Sequence, residues 1–486
     1  MHDKSPRLVY LLCTFLLLGG HSVVFGQVIK DRPNIVLLIA DDLGYQELGC
    51  QGNTDVPTPH IDALAQSGVR CTQAYVTAPN CSPSRAGLLA GRIPTRFGYE
   101  FNPIGARNED PGTGIPAAEF LLPEFLQRQG YVCGLVGKWH LGGSADFHPH
   151  RHGFDRFFGF NHEGHYFEPA PWKDTTLVLR RETLPRSFGT RYQASPRRWY
   201  SSHMGHNEPD YDANNPILRD GQPVDEQSYL TDAFTREAVS FIQENRHTPF
   251  FLALTYNAVH SPLQAKTSTF EKFSHIEDVH RRIFAAMLSD LDESVGEVVR
   301  TLDKLEIRRN TLIVFLSDNG GPTKELTSSN KPLRDGKGSM YEGGLRVPFV
   351  VSFPGSLPAG EQCDEVISSL DIYATAASIL GQEPISRRGD RQELDGQDML
   401  PVLRGETPSR NDTLYWRQGG RAALRSGDWK IVAPGRNPND RRWELYNIAS
   451  DLTESTDLAQ ENPIVLNRLR GEFESFDETM QEPLFR

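Results

Sequence analysis

The sequence lacks the marks of a nucleic-acid binder, a repeat protein or a disulfide scaffold. Its 51 basic side chains are outnumbered by 63 acidic ones, giving a formal charge of −12 over 486 residues. No basic excess is present to neutralise a phosphate backbone, so any anionic ligand must be met by a local cationic pocket. The 42 glycines and 33 prolines are dispersed without a period, which excludes collagen, low-complexity tracts and solenoid arrays. Six cysteines occur, none in the Cys-x-x-Cys pairs of a structural zinc site. Beyond the first 20 residues no apolar run is long enough to cross a bilayer. What is present is ordinary globular composition, 38% hydrophobic and 23% charged, enough for two or three domains or one large α/β domain with an appendage.

The first segment reads as a targeting signal. Lys4 and Arg7 precede the apolar run Leu8 to Leu18, and small residues follow up to Gly26. These are the flanks and length of a secretory signal peptide over residues 1–26, with a signal anchor as the alternative, so the protein is expected outside the cytoplasm. Losing Cys13 with the signal leaves Cys50, Cys71, Cys81, Cys133 and Cys363, an odd number whose pairing the sequence leaves open. Asn411-Asp412-Thr413 is a glycosylation acceptor if the host is one that uses it.

Four short apolar runs end abruptly in polar residues. Asn34 to Ala40 runs into Asp41-Asp42, and Tyr131 to Val136 into Gly137-Lys138-Trp139-His140. Phe250 to Tyr256 leads to Asn257 and His260, and Thr311 to Leu316 to Ser317-Asp318-Asn319. Such runs read as strands buried on both faces of a largely parallel sheet, whose carboxyl ends are the ligand edge. Helical spacing appears between them at Pro59 to Gln66, Ser84 to Ala90, Leu122 to Gln129, Thr231 to Glu244 and His280 to Leu305. The expected fold is therefore α/β and doubly wound. From about Gly143 to Asp225 regular periodicity is sparse, and a long functional loop is expected. After residue 404 alternating runs and a closing amphipathic helix, Ile464 to Phe476, suggest a small α+β subdomain, giving a division into 27–404 and 405–486.

Asp41-Asp42 and Asp318-Asn319 supply hard oxygen donors at two ends of the same sheet edge. That set suits Ca2+ or Mg2+ better than zinc, although each pair alone would also serve as a turn cap. Cys81 precedes a helix, where the dipole is expected to lower a thiol pKa, and Arg85 lies one turn onward. A buried structural cysteine is the bland alternative.

The string Cys81-Ser82-Pro83-Ser84-Arg85, followed by Leu89-Ala90-Gly91-Arg92, resembles the signature of the type I sulfatases, whose cysteine is oxidised to formylglycine. Asp41-Asp42-Leu43-Gly44, Gly137-Lys138-Trp139-His140, His152-Gly153-Phe154-Asp155, Asn257-Ala258-Val259-His260, Ser317-Asp318-Asn319-Gly320-Gly321, Gly336-Lys337-Gly338-Ser339 and Glu444-Leu445-Tyr446-Asn447 extend the resemblance over almost the whole chain. It implies an alkaline-phosphatase-like fold, with a mixed, mostly parallel sheet flanked by helices, and the N-acetylgalactosamine-sulfatase and arylsulfatase type of sulfuric ester hydrolysis. It further implies that Cys81 becomes the formylglycine nucleophile through a formylglycine-generating enzyme, held by Arg85 and Lys138. By the same resemblance Asp41, Asp42, Asp318, Asn319 and modified Cys81 surround one Ca2+. Lys138, Lys337 and His260 meet the sulfate or the leaving oxygen, and His140 takes the proton that releases sulfate and restores the aldehyde.

Two other readings remain open at this point. The same pocket could hydrolyse phosphate or phosphonate esters, or the chain could be a silent sulfoglycan binder with Cys81 left a thiol. The compartment is secreted or periplasmic, with the lysosome as the alternative. His162, His165 and Trp172, with Tyr166, Lys173, Arg191 and Trp199, are expected to form subsites for a sulfated carbohydrate, because aromatic faces stack on sugars and cations pair with sulfates. A solvated surface loop is the competing account of that stretch.

Overall fold

In a computed structural model, residues 32–185, 189–385, 389–409 and 413–485 are described. The expected signal peptide with Cys13, and Asn411-Asp412 of the glycosylation acceptor, lie outside the described residues. Among the described residues no helix is long and apolar enough to cross a membrane.

The four apolar runs are four adjacent parallel strands. Thr311–Ser317, Asn34–Ala40, Phe250–Thr255 and Val132–Lys138 lie side by side in that order. The first three are buried along their whole length and the fourth from its second residue, so both faces must be covered by apolar helices. Leu230–Glu244 and Val279–Lys304 cover one face, through Phe234, Phe241, Phe284 and Leu288. Cys81–Ala90, Leu122–Arg128 and Asp371–Ile379 cover the other.

Six further strands complete a ten-stranded mixed sheet. Val69–Tyr75, Phe349–Ser352 and Glu361–Ser368 extend one side, with Phe349–Ser352 antiparallel to both of its neighbours. The sequence pattern did not mark them: Phe349–Ser352 is only four residues, and the other two interleave polar residues with apolar ones. This is the mixed, mostly parallel sheet with flanking helices that the resemblance implied.

The expectation of a long irregular loop between Gly143 and Asp225 needs correction. Arg156–Phe160, Leu218–Arg219 and Gln222–Pro223 extend the main sheet. Thr175–Arg180, Arg198–Ser201 and Arg191–Ser195 join Leu263–Lys266 in a second, four-stranded sheet. Arg191–Ser195 is mostly exposed and polar, so it leaves no hydrophobic period for a sequence pattern to register.

Toward the C-terminus, Thr413–Gln418, Arg421–Ser426, Trp429–Ala433 and Glu444–Asn447 form an antiparallel meander. Helix Pro463–Asp477 covers one face, with Phe473 stacked on Tyr415 at 4.9 Å. The opposite face packs Trp416, Val432 and Tyr446 on Tyr75, Met340 and Leu345. We propose the division at 404/405 on this basis, since the meander and its helix share a core whose buried residues include only Ile93 and Leu370 from the first part.

A buried ion cluster ties the two parts together. Lys430 Nζ lies 2.8 Å from Glu342 and 2.9 Å from Glu454, all three fully buried, and Tyr75 donates to Glu342 at 2.6 Å. Lys430→Met is expected to cost about 3–5 kcal/mol, because it leaves buried Glu454 without a cation and Glu342 with only the 3.5 Å contact to Arg346. The check is the denaturant midpoint, and an unchanged midpoint would remove this cluster from the account of stability.

Candidate active site

The strand order decides the site. Four adjacent parallel strands end at one edge, so Asp41-Asp42, Lys138-Trp139-His140, Asn257 to His260 and Asp318-Asn319 emerge together. Asp42 and His140 sit in the left-handed region, with φ of 65° and 56°. A non-glycine residue there is under backbone strain, which the surrounding packing must hold. Gly137, next to last in its strand and at φ 114°, lies against the Thr255 carbonyl oxygen, where a Cβ would lie 1.9 Å away. Only glycine lets Lys138 turn toward Asp41 at that point.

Helix Cys81–Ala90 is buried at every residue and brings its first turn to the same edge. The Cys81 thiol lies 3.5 Å from Asp41 Oδ1. Arg85, one turn on, donates through Nε to Asp318 Oδ2 at 2.8 Å and through Nη1 to the Lys138 carbonyl at 3.0 Å. The structure therefore brings Arg85 and Cys81 to one spot, as their spacing on a helix requires.

Cations and carboxylates interleave. Lys138 Nζ is 2.6 Å from Asp41 Oδ2 and Lys337 Nζ is 2.8 Å from Asp42. Asn319 Nδ2 donates to Asp42 Oδ1 at 2.7 Å, and His260 Nε2 stands 3.6 Å from Asp42 Oδ2. Burial works to raise Asp41, but Lys138, His260, Arg85 and Lys337 outweigh it and hold that carboxyl well below the usual range. Burial and the neighbouring Asp41 push Asp318 up. For Lys337 burial works downward, yet Asp42 keeps the ammonium well above its ordinary pKa.

The two histidines differ in which nitrogen is free. His140 Nε2 is 2.9 Å from the Pro103 carbonyl, which can only accept, so this nitrogen carries the proton. Its Nδ1 is buried with no partner among the described residues. In His260 it is Nδ1 that donates, to the Ser261 carbonyl at 2.7 Å, which turns Nε2 toward Asp42. Burial holds both rings below the ordinary histidine pKa, with Lys138 adding to it at His140 and Lys337 at His260.

The expectation that the helix start would acidify Cys81 is corrected. Burial pushes the thiol well up despite Lys138 and Lys337, with Asp41 and Asp318 pushing the same way. An unmodified Cys81 is thus a neutral thiol, poorly suited to attack.

One ligand atom from each of Asp41, Asp42, Cys81 and Asp318 lies within 4.8 Å of the others, all buried. Asn319 Oδ1 is buried beside them with no partner among the described residues. Three carboxylates and an orphaned amide oxygen fit a hard divalent cation such as Ca2+, which takes oxygen donors.

The loop candidates are dispersed. His162 is 3% exposed and ties Glu109 at 2.5 Å, and His165 bonds the Tyr166 carbonyl at 2.9 Å. Trp199 packs on Phe270, Arg191 pairs with Asp278, and Trp172 lines a separate cavity of about 270 Å³. None of these touches the Cys81 cluster directly, but Tyr166, another of the candidates, packs on Trp172 at 5.4 Å and on Tyr211 at 5.9 Å. Sequence reading missed instead the surroundings of His260. Arg180 donates to Tyr211 Oη at 2.8 Å and to Glu325 at 2.7 Å, and Tyr211 Oη lies 3.0 Å from Ser261 Oγ. The Tyr211 ring stands edge-on to His260 at 6.3 Å. Only Ser261, next to His260 in the chain, carried a local signal. A cleft of about 690 Å³, walled by Lys337, Glu325, Lys324, Asn330 and Met204, opens beside the cluster.

This fold and edge define a hydrolase of the sulfatase family, to which the chain belongs: the family model described as Sulfatase matches residues 33–382. It is accordingly a sulfatase, an enzyme that hydrolyses sulfate esters. The chain is 34% identical to N-acetylgalactosamine-6-sulfatase of Mus musculus, covering 87% of this chain and 75% of that protein. It is 35% identical to steryl-sulfatase of Rattus norvegicus, covering 77% and 70%. Among solved structures it resembles Ps i-CgsB, crystallised in complex with k-i-k-neocarrahexaose, at 35% identity and a TM-score of 0.79 over 93% of this chain and 94% of that one.

Proposed function

We propose that the protein removes sulfate from a sulfated carbohydrate outside the cytoplasm, using a formylglycine made from Cys81 and one Ca2+. The observation that carries this reading is the start of the Cys81 helix. A cysteine whose burial keeps it a neutral thiol is set among three carboxylates, Arg85 and two lysines, where a thiol has little to do. The sugar side of the reading draws on the N-acetylgalactosamine-6-sulfatases and on the neighbour crystallised with k-i-k-neocarrahexaose. A formylglycine-generating enzyme is the maturation partner it requires, and the compartment is periplasmic or secreted, with the lysosome as the alternative.

Asp41, Asp42, Asp318 and Asn319, with the group made from Cys81, would hold the Ca2+. Bound there, the ion supplies a Lewis acid for a sulfate oxygen, while the hydrated aldehyde supplies a hydroxyl nucleophile. Arg85 and Lys138 fix that residue, and Lys138 and Lys337 balance the negative charge that grows on the ester oxygens. His260 turns Nε2 toward the leaving oxygen, and with Nδ1–H kept on the Ser261 carbonyl it delivers a proton there only from its doubly protonated form. His140 accepts a proton at Nδ1, the nitrogen it leaves unbonded, so that product can depart. His165 and Trp172 remain on the glycan side of the proposal, whereas buried His162 serves by holding Glu109.

The test is mass spectrometry of the peptide containing Cys81, from the native host or from cells supplying the generating enzyme. Formylglycine in active material is the expected result. Full sulfatase activity in material whose Cys81 alkylates quantitatively as a thiol would overturn the reading.

A further inference from the structure

The second sheet has two unlike faces. On one, Val178 pairs with Trp199, and Trp199 packs on Phe270 toward the core. On the other, Leu177 is paired with Arg198 and Leu179 with Tyr200, and Tyr200 also faces Tyr192. Neither leucine belongs to a hydrophobic core cluster, yet they are 1% and 7% exposed, so the side chains of this outer face must cover them.

Those side chains carry uncompensated positive charge. The Arg181 guanidinium lies over the Tyr200 ring at 3.9 Å from its centroid, and that of Arg198 over Trp172 at 4.9 Å. Arg197, exposed at the turn between the strands, donates to the Lys173 carbonyl at 2.8 Å. Among the described residues none of the three arginines has a carboxylate within 4.0 Å, although Asp174 and Glu182 are close in sequence. Ring faces and carbonyls orient a guanidinium but do not neutralise it, so its fork stays available to an anion. Between Trp172, Ser195, Arg197 and Arg198 lies the cavity of about 270 Å³. Trp172 Nε1 is buried without a partner among the described residues, and Trp172 itself is held at a left-handed φ of 58°. A buried donor left unpaired and a bulky residue held under backbone strain both cost stability, which a binding role would explain.

This face also has a fixed relation to the active site. Arg180, one residue before Arg181, points to the opposite side of the strand and bonds Tyr211 beside His260. From Arg181 back to Thr175 the strand runs about 20 Å at its usual rise, the length of several sugar units. We propose that the outer face of this sheet, from Arg181 to the Trp172–Arg197–Arg198 cavity, is a second binding site for a sulfated polysaccharide chain, separate from the catalytic pocket. It rests on the reading of the substrate as a sulfated carbohydrate. Arginine forks match sulfate oxygens bidentately, and holding a polymer at a distance from the bond being cut raises its effective concentration at the catalytic edge.

The test compares the native chain with one carrying Arg181→Ser, Arg197→Ser and Arg198→Ser. Binding is read by retardation in gels containing dextran sulfate or carrageenan, with unsulfated dextran as the control. Losing three charge-assisted contacts is expected to weaken binding of both sulfated polymers at least ~10-fold, with no effect on dextran. KM for a sulfated polymer that the native chain hydrolyses should rise by a similar factor at unchanged kcat, while hydrolysis of para-nitrophenyl sulfate stays within about twofold of native. That small substrate also reports that the variant is folded. A triple lysine variant, keeping charge but losing the forks, should fall between the two. Unchanged retardation and unchanged KM for the polymer would overturn the site while leaving the sulfated-carbohydrate reading intact. If instead the native chain binds the polymers through these arginines but releases sulfate from no glycan, the site stands and the catalytic reading of the substrate fails.

Discussion

A Cys81→Ala chain is expected to lose turnover of every sulfate ester by at least ~10⁴-fold, because it removes the nucleophile of the proposed reaction and leaves only the charge framework around it. The fold should survive. Cys81 sits at the first position of a helix whose other nine residues are buried and packed, and its Sγ makes one long contact, 3.5 Å to Asp41. Removing one buried atom costs about 1 kcal/mol. Thermal unfolding therefore separates the two effects, with a melting temperature near native beside absent activity. Turnover within tenfold of native in the alanine chain would place the nucleophile elsewhere.

Asp318→Asn is expected to have the second-largest effect. The carboxylate meets Arg85 at 2.8 Å through both Nε and Nη2, and one of its oxygens belongs to the oxygen-rich group with Asp41 and Asp42. The amide keeps the shape but halves the acceptor capacity and removes the charge, so Arg85, 3% exposed, keeps only the 3.7 Å contact with Asp41 as an ion pair. Calcium retained after dialysis should fall from about one per chain to a small fraction, and kcat/KM should fall at least ~100-fold. Elemental analysis of the dialysed protein and rates with and without a chelator check both. Native rates that ignore the chelator would refute the ligand assignment.

Much of this centre was legible in the primary structure for a physical reason. A strand buried on both faces must be apolar throughout, so its end is marked by the first charged residue, and four such ends named Asp41, Asp42, Lys138, His140, His260, Asp318 and Asn319. The helix was legible from Ser84, and the structure starts it three residues earlier, at Cys81, with Arg85 still one turn on. The edges of the sheet were not visible, because Val69–Tyr75 and Glu361–Ser368 are covered unevenly and show no clean period.

The pairing of charges belongs to the tertiary structure alone. That Lys138 takes Asp41 while Lys337 takes Asp42 depends on distances between residues 97 and 295 positions apart, and His140 leaves Nδ1 free because its Nε2 meets the carbonyl of Pro103, 37 positions away. The Cys81 pKa is the clearest case. Local sequence offered a helix start that would acidify a thiol, and complete burial beside Asp41 and Asp318 reversed the sign. The insertion between Gly143 and Asp225 turned on the same distinction. Its strands are held by neighbours such as Leu263–Lys266, distant in sequence, and not by a hydrophobic period of their own, so its sheet, and the arginine face it displays, existed only once the chain had folded.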